Sequence, residues 1–155
     1  MAESIKLRPA EPDDLHTLSD IAWRAKQSWG YAPEMMAKMV DALTVTEKTL
    51  ATEIVSVAES EAGVAGWISY VPVSDKTVSV EGLWIDPEVM GKSVGRTLWN
   101  HMEQDAIANG FTAIEVLSDP NAFGFYEKMG CAYSRDEPSD VFGPDRLLPL
   151  LMKRI

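Results

Sequence analysis

The stretch that most constrains this chain runs from Glu81 to Arg96. A strand-like Glu-Gly-Leu-Trp-Ile is followed by Asp-Pro-Glu-Val-Met and then by Gly-Lys-Ser-Val-Gly-Arg at the start of a helical pattern. A strand that passes through a glycine-containing turn into a helix leaves several backbone N–H groups without intrahelical partners. The helix dipole adds to their positive potential, so the turn is an anion site by construction. Gly91 and Gly95 remove side chains that would obstruct a phosphate, while Lys92 and Arg96 add charge. A tight turn whose glycines serve only backbone geometry would read the same way, so the turn alone leaves both readings open.

Two phosphate motifs are excluded here. Gly91-Lys92-Ser93 imitates the end of G-x-x-x-x-G-K-[ST], but the first glycine of that motif would fall on Asp86, which is followed by Pro87. The dinucleotide fingerprint G-x-G-x-x-G also fails, because Gly91 and Gly95 have no third glycine at the required spacing.

The elements around this segment define the fold class. Ser4 to Arg8 alternates as a short strand, and Glu11-Pro12-Asp13-Asp14 opens a helix with proline in its first turn and acids at its positive end. Leu15, Leu18, Ile21, Ala22 and Ala25 carry that helix to about Ser28, and Met35, Met36, Met39, Val40 and Leu43 predict a second helix. Ile54–Ala58 and Val64–Val71 form a hairpin across Glu-Ser-Glu-Ala-Gly, and Thr77–Ile85 is a further strand. Then come a helix over Ser93–Asn109, a strand over Thr112–Leu117, a helix over Asn121–Met129 and a strand over Cys131–Ser134. A last strand runs over Arg146–Ile155, where Pro149 argues for an edge position or a bulge. Early hairpin strands followed by alternating elements imply an α/β or α+β chain, with a mixed sheet and helices on both faces.

At 155 residues, 46% of them hydrophobic and 25% charged, the composition is that of one globular domain, 1–155, with no linker or repeat. The net charge of −10 argues against nucleic-acid binding, which wants a basic face, and is compatible with a cationic substrate. No apolar run is long enough for a membrane span, and no leader is visible at the start, so a cytoplasmic location is expected. The single cysteine, Cys131, excludes an internal disulfide and reads as a buried, inert thiol. His16 and His101 lack metal-ligand spacing, so no metal is expected.

The segment Leu83-Trp84-Ile85-Asp86-Pro87 with the turn to Gly95 resembles the acetyl-CoA-binding motif of the GNAT N-acetyltransferase superfamily, L-x-V-D-P leading into [QR]-x-x-G-x-[GA]. A second segment, Ser118-Asp-Pro-Asn-Ala-Phe-Gly-Phe-Tyr-Glu-Lys-Met-Gly130, resembles that family's N-x-x-A-x-x-F-Y-x-K-x-G block. The two lie in the family's order, separated by one helix and one strand. The chain also looks like a bacterial, small-molecule-type subgroup of these sequences, with Arg146-Leu-Leu-Pro-Leu-Leu151 fitting its ending. It departs from the family pattern at Met90, where Gln or Arg is usual, at Ser93, where glycine is usual, and at Asp119, which holds the Asn position.

The resemblance implies a mostly antiparallel sheet of about six to seven strands, splayed between strands 77–85 and 112–117. It implies acetyl-CoA as cosubstrate, held by Leu83, Trp84, Ile85, Val89, Met90, Gly91, Lys92, Ser93, Val94, Gly95, Arg96, Asn121, Phe125 and Tyr126. The backbone amides of Val89 to Arg96 would carry more of that binding than any side chain. An amine attacks the thioester directly, with Tyr126 as general acid and Glu81 as the group that reaches the amine, directly or through water. A carboxylate on a buried strand is costly without a role or partner, which is the reason for naming Glu81. Trp29 and Tyr31 fall where the resembled fold places the wall of the acceptor pocket, and such a pair could enclose an apolar or cationic amine. The expected partner is therefore a small-molecule amine, with the charge tilting towards a cationic one, and a homodimer is the commonest soluble assembly. The rival reading is a non-catalytic acyl-CoA sensor or partner-binding module on the same fold, and a weaker one is an ATP-dependent enzyme using Gly91-Lys92-Ser93.

Overall fold

Capping and turn chemistry position the first half of the chain, which is seen in a computed structural model describing residues 4–155. Strand β1 (Lys6–Pro9) enters a 3-10 turn at Pro12–Asp14 and then helix α1 (Leu15–Gln27). The Asp14 carboxylate accepts the Glu11 N–H at 2.8 Å and takes both terminal nitrogens of Arg8 at 2.8 and 2.9 Å, fixing the entry of the chain into α1. The apolar stripe of α1, Leu18, Ile21, Ala22 and Ala25, is buried, and Gly30 at φ 84° ends the turn that follows.

The single helix expected over Met35–Leu43 is two short ones, α2 (Pro33–Lys38) and α3 (Val40–Leu43). They break at Met39, whose φ of −99° and ψ of 1° tighten the last turn into an N–H···O=C bond to Met36. Helix α4 (Glu47–Thr52) was not expected; Thr46 caps it, accepting the Thr49 N–H while the Thr49 hydroxyl accepts the Thr46 N–H.

The expected hairpin is β2 (Ile54–Ser60) and β3 (Gly63–Pro72), followed by β4 (Thr77–Ile85). After β4 come α5 (Val94–Ala108), β5 (Ala113–Leu117), α6 (Phe123–Lys128), β6 (Ala132–Ser139) and β7 (Gly143–Arg154). The fold is a mixed α/β arrangement with a seven-stranded sheet, order β1-β2-β3-β4-β5-β7-β6, flanked by helices. β4 and β5 are parallel, and their ladder runs from Thr77↔Ala113 to Val80↔Val116 while β4 continues to Ile85. β1–β2, β5–β7 and β6–β7 are antiparallel.

Pro149 does not mark an edge, since β7 lies between β5 and β6, but the β6–β7 register shifts between Tyr133 and Arg135, opposite Leu151 and Leu150, so a bulge does adjoin the proline. The proline also stands where the β5 ladder stops: Leu117↔Leu150 is its last pair, and the Ser118 N–H donates to the Pro149 carbonyl at 2.9 Å. Proline has no N–H to return, so pairing with β5 ends there, while β7 stays paired with β6 through Asp136↔Pro149.

The chain forms two compact units, Met1–Ser69 with Gly82–Asn100, and Tyr70–Glu81 with His101–Ile155. The first buries Leu18, Ile21, Val57, Ile68, Leu98 and Trp99, and the indole N–H of Trp67 donates to the Leu18 carbonyl at 3.0 Å. The second buries Tyr70, Val78, Met102, Ile114, Val116 and Leu151, and the Tyr70 hydroxyl donates to Asp105 at 2.7 Å.

Candidate functional site

In the first unit, the end of β4 is held by close main-chain approach. A Cβ at Gly66 would lie 2.8 Å from the Trp84 carbonyl oxygen and 2.8 Å from Ile85 Cδ1, so β3 passes at a distance only glycine allows. The Asp86 N–H donates to the Ala65 carbonyl at 2.9 Å, and the Asp86 side chain accepts the Glu88 N–H at 3.0 Å, capping the 3-10 turn Pro87–Val89. Arg24 of α1 closes on the same carboxylate with two bonds of 3.0 and 2.9 Å while also bonding Asp20 at 2.7 Å. This fork holds the Asp86 carboxyl below the usual carboxylate range and raises the guanidinium in turn.

After Asp86 the main chain turns twice into the left-handed region, at Gly91 (φ 84°) and Ser93 (φ 66°). A Cβ at Gly91 would meet nothing within 4 Å, so its face of the turn is open. The first helical bond of α5 runs from the Thr97 N–H to the Ser93 carbonyl at 3.0 Å. The amides of Val94, Gly95 and Arg96 therefore precede the hydrogen-bonded ladder. Lys92 and Arg96 are exposed beside them, and Met90 is 43% exposed. One expected donor is lost: the Val89 N–H is used in a bond to the Asp86 carbonyl at 2.9 Å. The Val94 side chain is core, leaving only its main chain to face a ligand.

Trp29 and Tyr31 form a cluster with Trp84. The Trp29 and Trp84 rings lie 5.9 Å apart and are tilted by 43°. Lys26, only 8% exposed, sets its ammonium 5.7 Å from the centroid of Trp29, 5.1 Å from Tyr31 and 5.8 Å from Trp84. Sequence reasoning missed Lys26 and the Arg24–Asp86 fork. A signal for Lys26 was present, because it falls one turn after Ala22 on the apolar stripe of α1, where a charge needs a reason.

In the second unit, the segment before α6 is organised by its own side chains. Asp119 accepts the Asn121 N–H at 2.7 Å and the Asn121 side-chain amide at 2.9 Å, and Arg146 of β7 approaches it at 3.7 Å. Asn121 is exposed with its amide already donating to Asp119. Phe125 and Tyr126 meet edge to face at 5.4 Å, and the Tyr126 hydroxyl is buried deeply enough that desolvation, with smaller contributions from Cys131 and Asp119, raises its pKa well above the ordinary phenol value. Cys131 is buried as expected, and burial pushes its thiol up to about 11. Glu81 is exposed on β4, so the cost of a buried carboxylate does not apply to it. Among the described residues no group of three or more His, Cys, Asp or Glu could hold a metal ion, and no helix is long and apolar enough to cross a membrane.

A strand runs into a left-handed turn with one open face and a helix whose first amides precede their ladder, the donor arrangement that an anion would need. The sequence matches the Acetyltransferase (GNAT) family over residues 15–131, and the chain belongs to that family. It is 36% identical over 73 residues to a peptidyl-lysine N-acetyltransferase, YjaB, of Salmonella typhimurium. That match spans 46% of this chain and about half, 49%, of the relative. Its fold is similar to that of the PaiA N-acetyltransferase of Thermoplasma acidophilum in complex with coenzyme A, with TM-score 0.81, 18% identity, and 98% and 99% of the two chains covered. It is also similar to a GCN5-related N-acetyltransferase of Rhodopseudomonas palustris, with TM-score 0.80, 21% identity, and 100% and 99% covered.

Proposed function

We propose that this chain is an acetyl-CoA-dependent N-acetyltransferase that acts on a primary amine of a small molecule by direct attack. The observation that carries the reading is the βα turn, where Gly91 leaves one face open and the amides of Val94, Gly95 and Arg96 lie ahead of the α5 ladder. These groups, with exposed Lys92 and Arg96, fit a diphosphate. Met90, Gly91 and Ser93 contribute main chain to the same cradle.

Acetyl-CoA supplies an activated thioester. Leu83, Trp84 and Ile85 offer strand backbone to its pantetheine arm, and the N–H groups near Trp84 and Ile85 stabilise the oxyanion that forms when the amine adds. Glu81 takes the amine proton directly or through water. As the C–N bond forms and the C–S bond breaks, Tyr126 faces the departing thiolate in the role the family resemblance gives it. In that role Tyr126 gives its hydroxyl proton to the departing thiolate as general acid and is reprotonated from solvent, so the products leave as a neutral amide and a thiol. Asn121 and Phe125 complete the cofactor contacts, and the reading needs no metal.

Calorimetric titration with acetyl-CoA, with CoA and ATP as comparators, tests the binding half. Micromolar acetyl-CoA binding with ATP silent is expected, followed by thiol release on addition of an accepted amine. Binding without turnover on any amine would favour the sensor reading, and absent binding would end the proposal. A second acceptor class, a lysine side chain in a peptide, is favoured by the match to the Salmonella protein, so a lysine peptide belongs in the same panel.

A further inference from the structure

Asp86 opens the connection from β4 to α5, and each of its polar atoms is committed. Its N–H donates to the Ala65 carbonyl of β3 at 2.9 Å, and its own carbonyl accepts the Val89 N–H at 2.9 Å. Its Oδ1 accepts the Glu88 N–H at 3.0 Å and one terminal nitrogen of Arg24 at 3.0 Å, while Oδ2 takes the other terminal nitrogen at 2.9 Å. The oxygen that caps the turn is therefore one that Arg24 holds. We propose that Arg24 is a positioning residue for the diphosphate-holding turn, acting through Asp86: its fork aims the capping oxygen and cancels a carboxylate charge that would otherwise oppose the ligand. This rests on the acetyl-CoA reading of the turn.

Charge is the first support. Between Asp86 and Arg96 the acids Asp86 and Glu88 balance the bases Lys92 and Arg96, so the segment's side chains add no net charge to its amides. Arg24 supplies a positive excess from α1. Asp20 shares the guanidinium at 2.7 Å but is half exposed, so solvent screens its charge. The Asp86 side chain is only 15% exposed, and without its partner its charge would act on a diphosphate with much less screening. Geometry is the second support. Two parallel bonds fix the direction of the carboxylate as well as its charge. Both ends of the fork are also referenced to one strand: the Trp67 indole of β3 donates to the Leu18 carbonyl of α1 at 3.0 Å, and the Asp86 N–H is bonded to β3 at Ala65. An arginine on α1 thereby sets where the turn begins.

The test is calorimetric titration of acetyl-CoA into wild type, Arg24→Met, Asp86→Asn and the double variant, at low salt and at about 0.5 M salt, with urea unfolding of each as the check on folding. Arg24→Met is expected to weaken acetyl-CoA about tenfold at low salt, because the Asp86 carboxylate is left bare, and the loss should shrink to about threefold at high salt. Asp86→Asn removes the charge and keeps an oxygen for the Glu88 N–H, so its loss should stay within about threefold. The double variant should bind like Asp86→Asn and about threefold tighter than Arg24→Met, since Arg24 has no charge to cancel once Asp86 is neutral. Arg24→Lys keeps the charge without the fork; it should fall between wild type and Arg24→Met, and it carries the same cycle if Arg24→Met does not fold. A merely structural role would lower the urea midpoint of Arg24→Met and leave its affinity alone. Direct contact between Arg24 and the diphosphate would leave the double variant as weak as Arg24→Met. Either result overturns the proposal and leaves the acetyltransferase reading standing, whereas failure of wild type to bind acetyl-CoA overturns both.

Discussion

The two segments that carry the family resemblance are built in opposite ways. In the first unit, Asp86 to Arg96 presents main chain: a left-handed glycine and serine, an open face, and helix amides ahead of their ladder. Apart from Asp86, which is held by Arg24 and caps Glu88, its side chains face solvent or the core and contribute little that another residue could not supply. In the second unit, Asp119 to Tyr126 is a set of side chains committed to one another, with Asp119 held by Asn121 and approached by Arg146, and Tyr126 sunk against Phe125. Substitutions in the first segment should therefore act through backbone conformation. In the second they should act through the loss of one particular group.

The largest effect is expected at Tyr126. Tyr126→Phe keeps the ring and its edge-to-face contact with Phe125 while deleting the hydroxyl. A lost proton donor costs roughly 10²-fold or more in kcat, with acetyl-CoA affinity and melting temperature little changed. A fall in kcat below about threefold in steady-state assays would remove Tyr126 from the mechanism. Next comes Gly66, whose neighbour is main chain and cannot rotate away. Gly66→Ala should cost roughly 1–3 kcal/mol in urea unfolding, because the Trp84 carbonyl stands 2.8 Å from the added carbon.

These two positions show what was legible in the sequence and why. β4 reads correctly over Thr77–Ile85 because apolar and polar residues alternate and Asp86-Pro87 ends it. The βα turn reads because glycines and a strand–helix boundary are local signals. Helix α4 does not, since its six residues bury no apolar stripe and only the Thr46 cap marks it. The Arg24–Asp86 fork joins residues 62 apart in sequence, a pairing no local pattern encodes. Pro149 is legible only in part for a related reason: the bulge beside it is present in the β6–β7 register, while topology decides that β7 is not an edge. Lys26 gave a local signal, a charge on an apolar stripe, whose meaning came only with the rings around it.

The Arg24–Asp86 fork gives a pH test of moderate size. Asp86 and Asp14 both have folded pKa values lowered by arginine partners. Their contribution is present above the unfolded carboxylate value of about 3.9 and is lost as pH falls through the lower folded values. Urea midpoints should therefore drop steeply below about pH 4. Asp86→Asn should flatten part of that drop and cost roughly 1 kcal/mol at neutral pH, because the charge-assisted fork with Arg24 is lost while the side-chain oxygen can still accept the Glu88 N–H. An unchanged acid limb would mean the fork contributes nothing measurable. Met90→Arg, restoring the side-chain donor usual in the family, is expected to tighten acetyl-CoA by less than about fivefold, because the arginine of an exposed position adds a screened charge to a cradle made of amides. A gain of 50-fold would show that the side chain governs this site and would break the contrast drawn between the two segments.

The smallest effect sharpens that contrast most. Ser93 holds φ at 66°, a conformation that disfavours a residue with a Cβ and suits the glycine that the family usually has there. Ser93→Gly removes the steric cost but also adds chain entropy to the unfolded state, and the two partly cancel. The expected result is a gain of roughly 0.5–1 kcal/mol in urea unfolding, with acetyl-CoA affinity within about twofold of wild type. If affinity falls tenfold while stability rises, the hydroxyl of Ser93 is a ligand in its own right. The turn would then be, like the Asp119–Tyr126 segment, a site made of side chains. If both hold as expected, the first segment works through the path of its main chain, and serine is tolerated there because α5 begins correctly from it, with Thr97 N–H bonded to the Ser93 carbonyl.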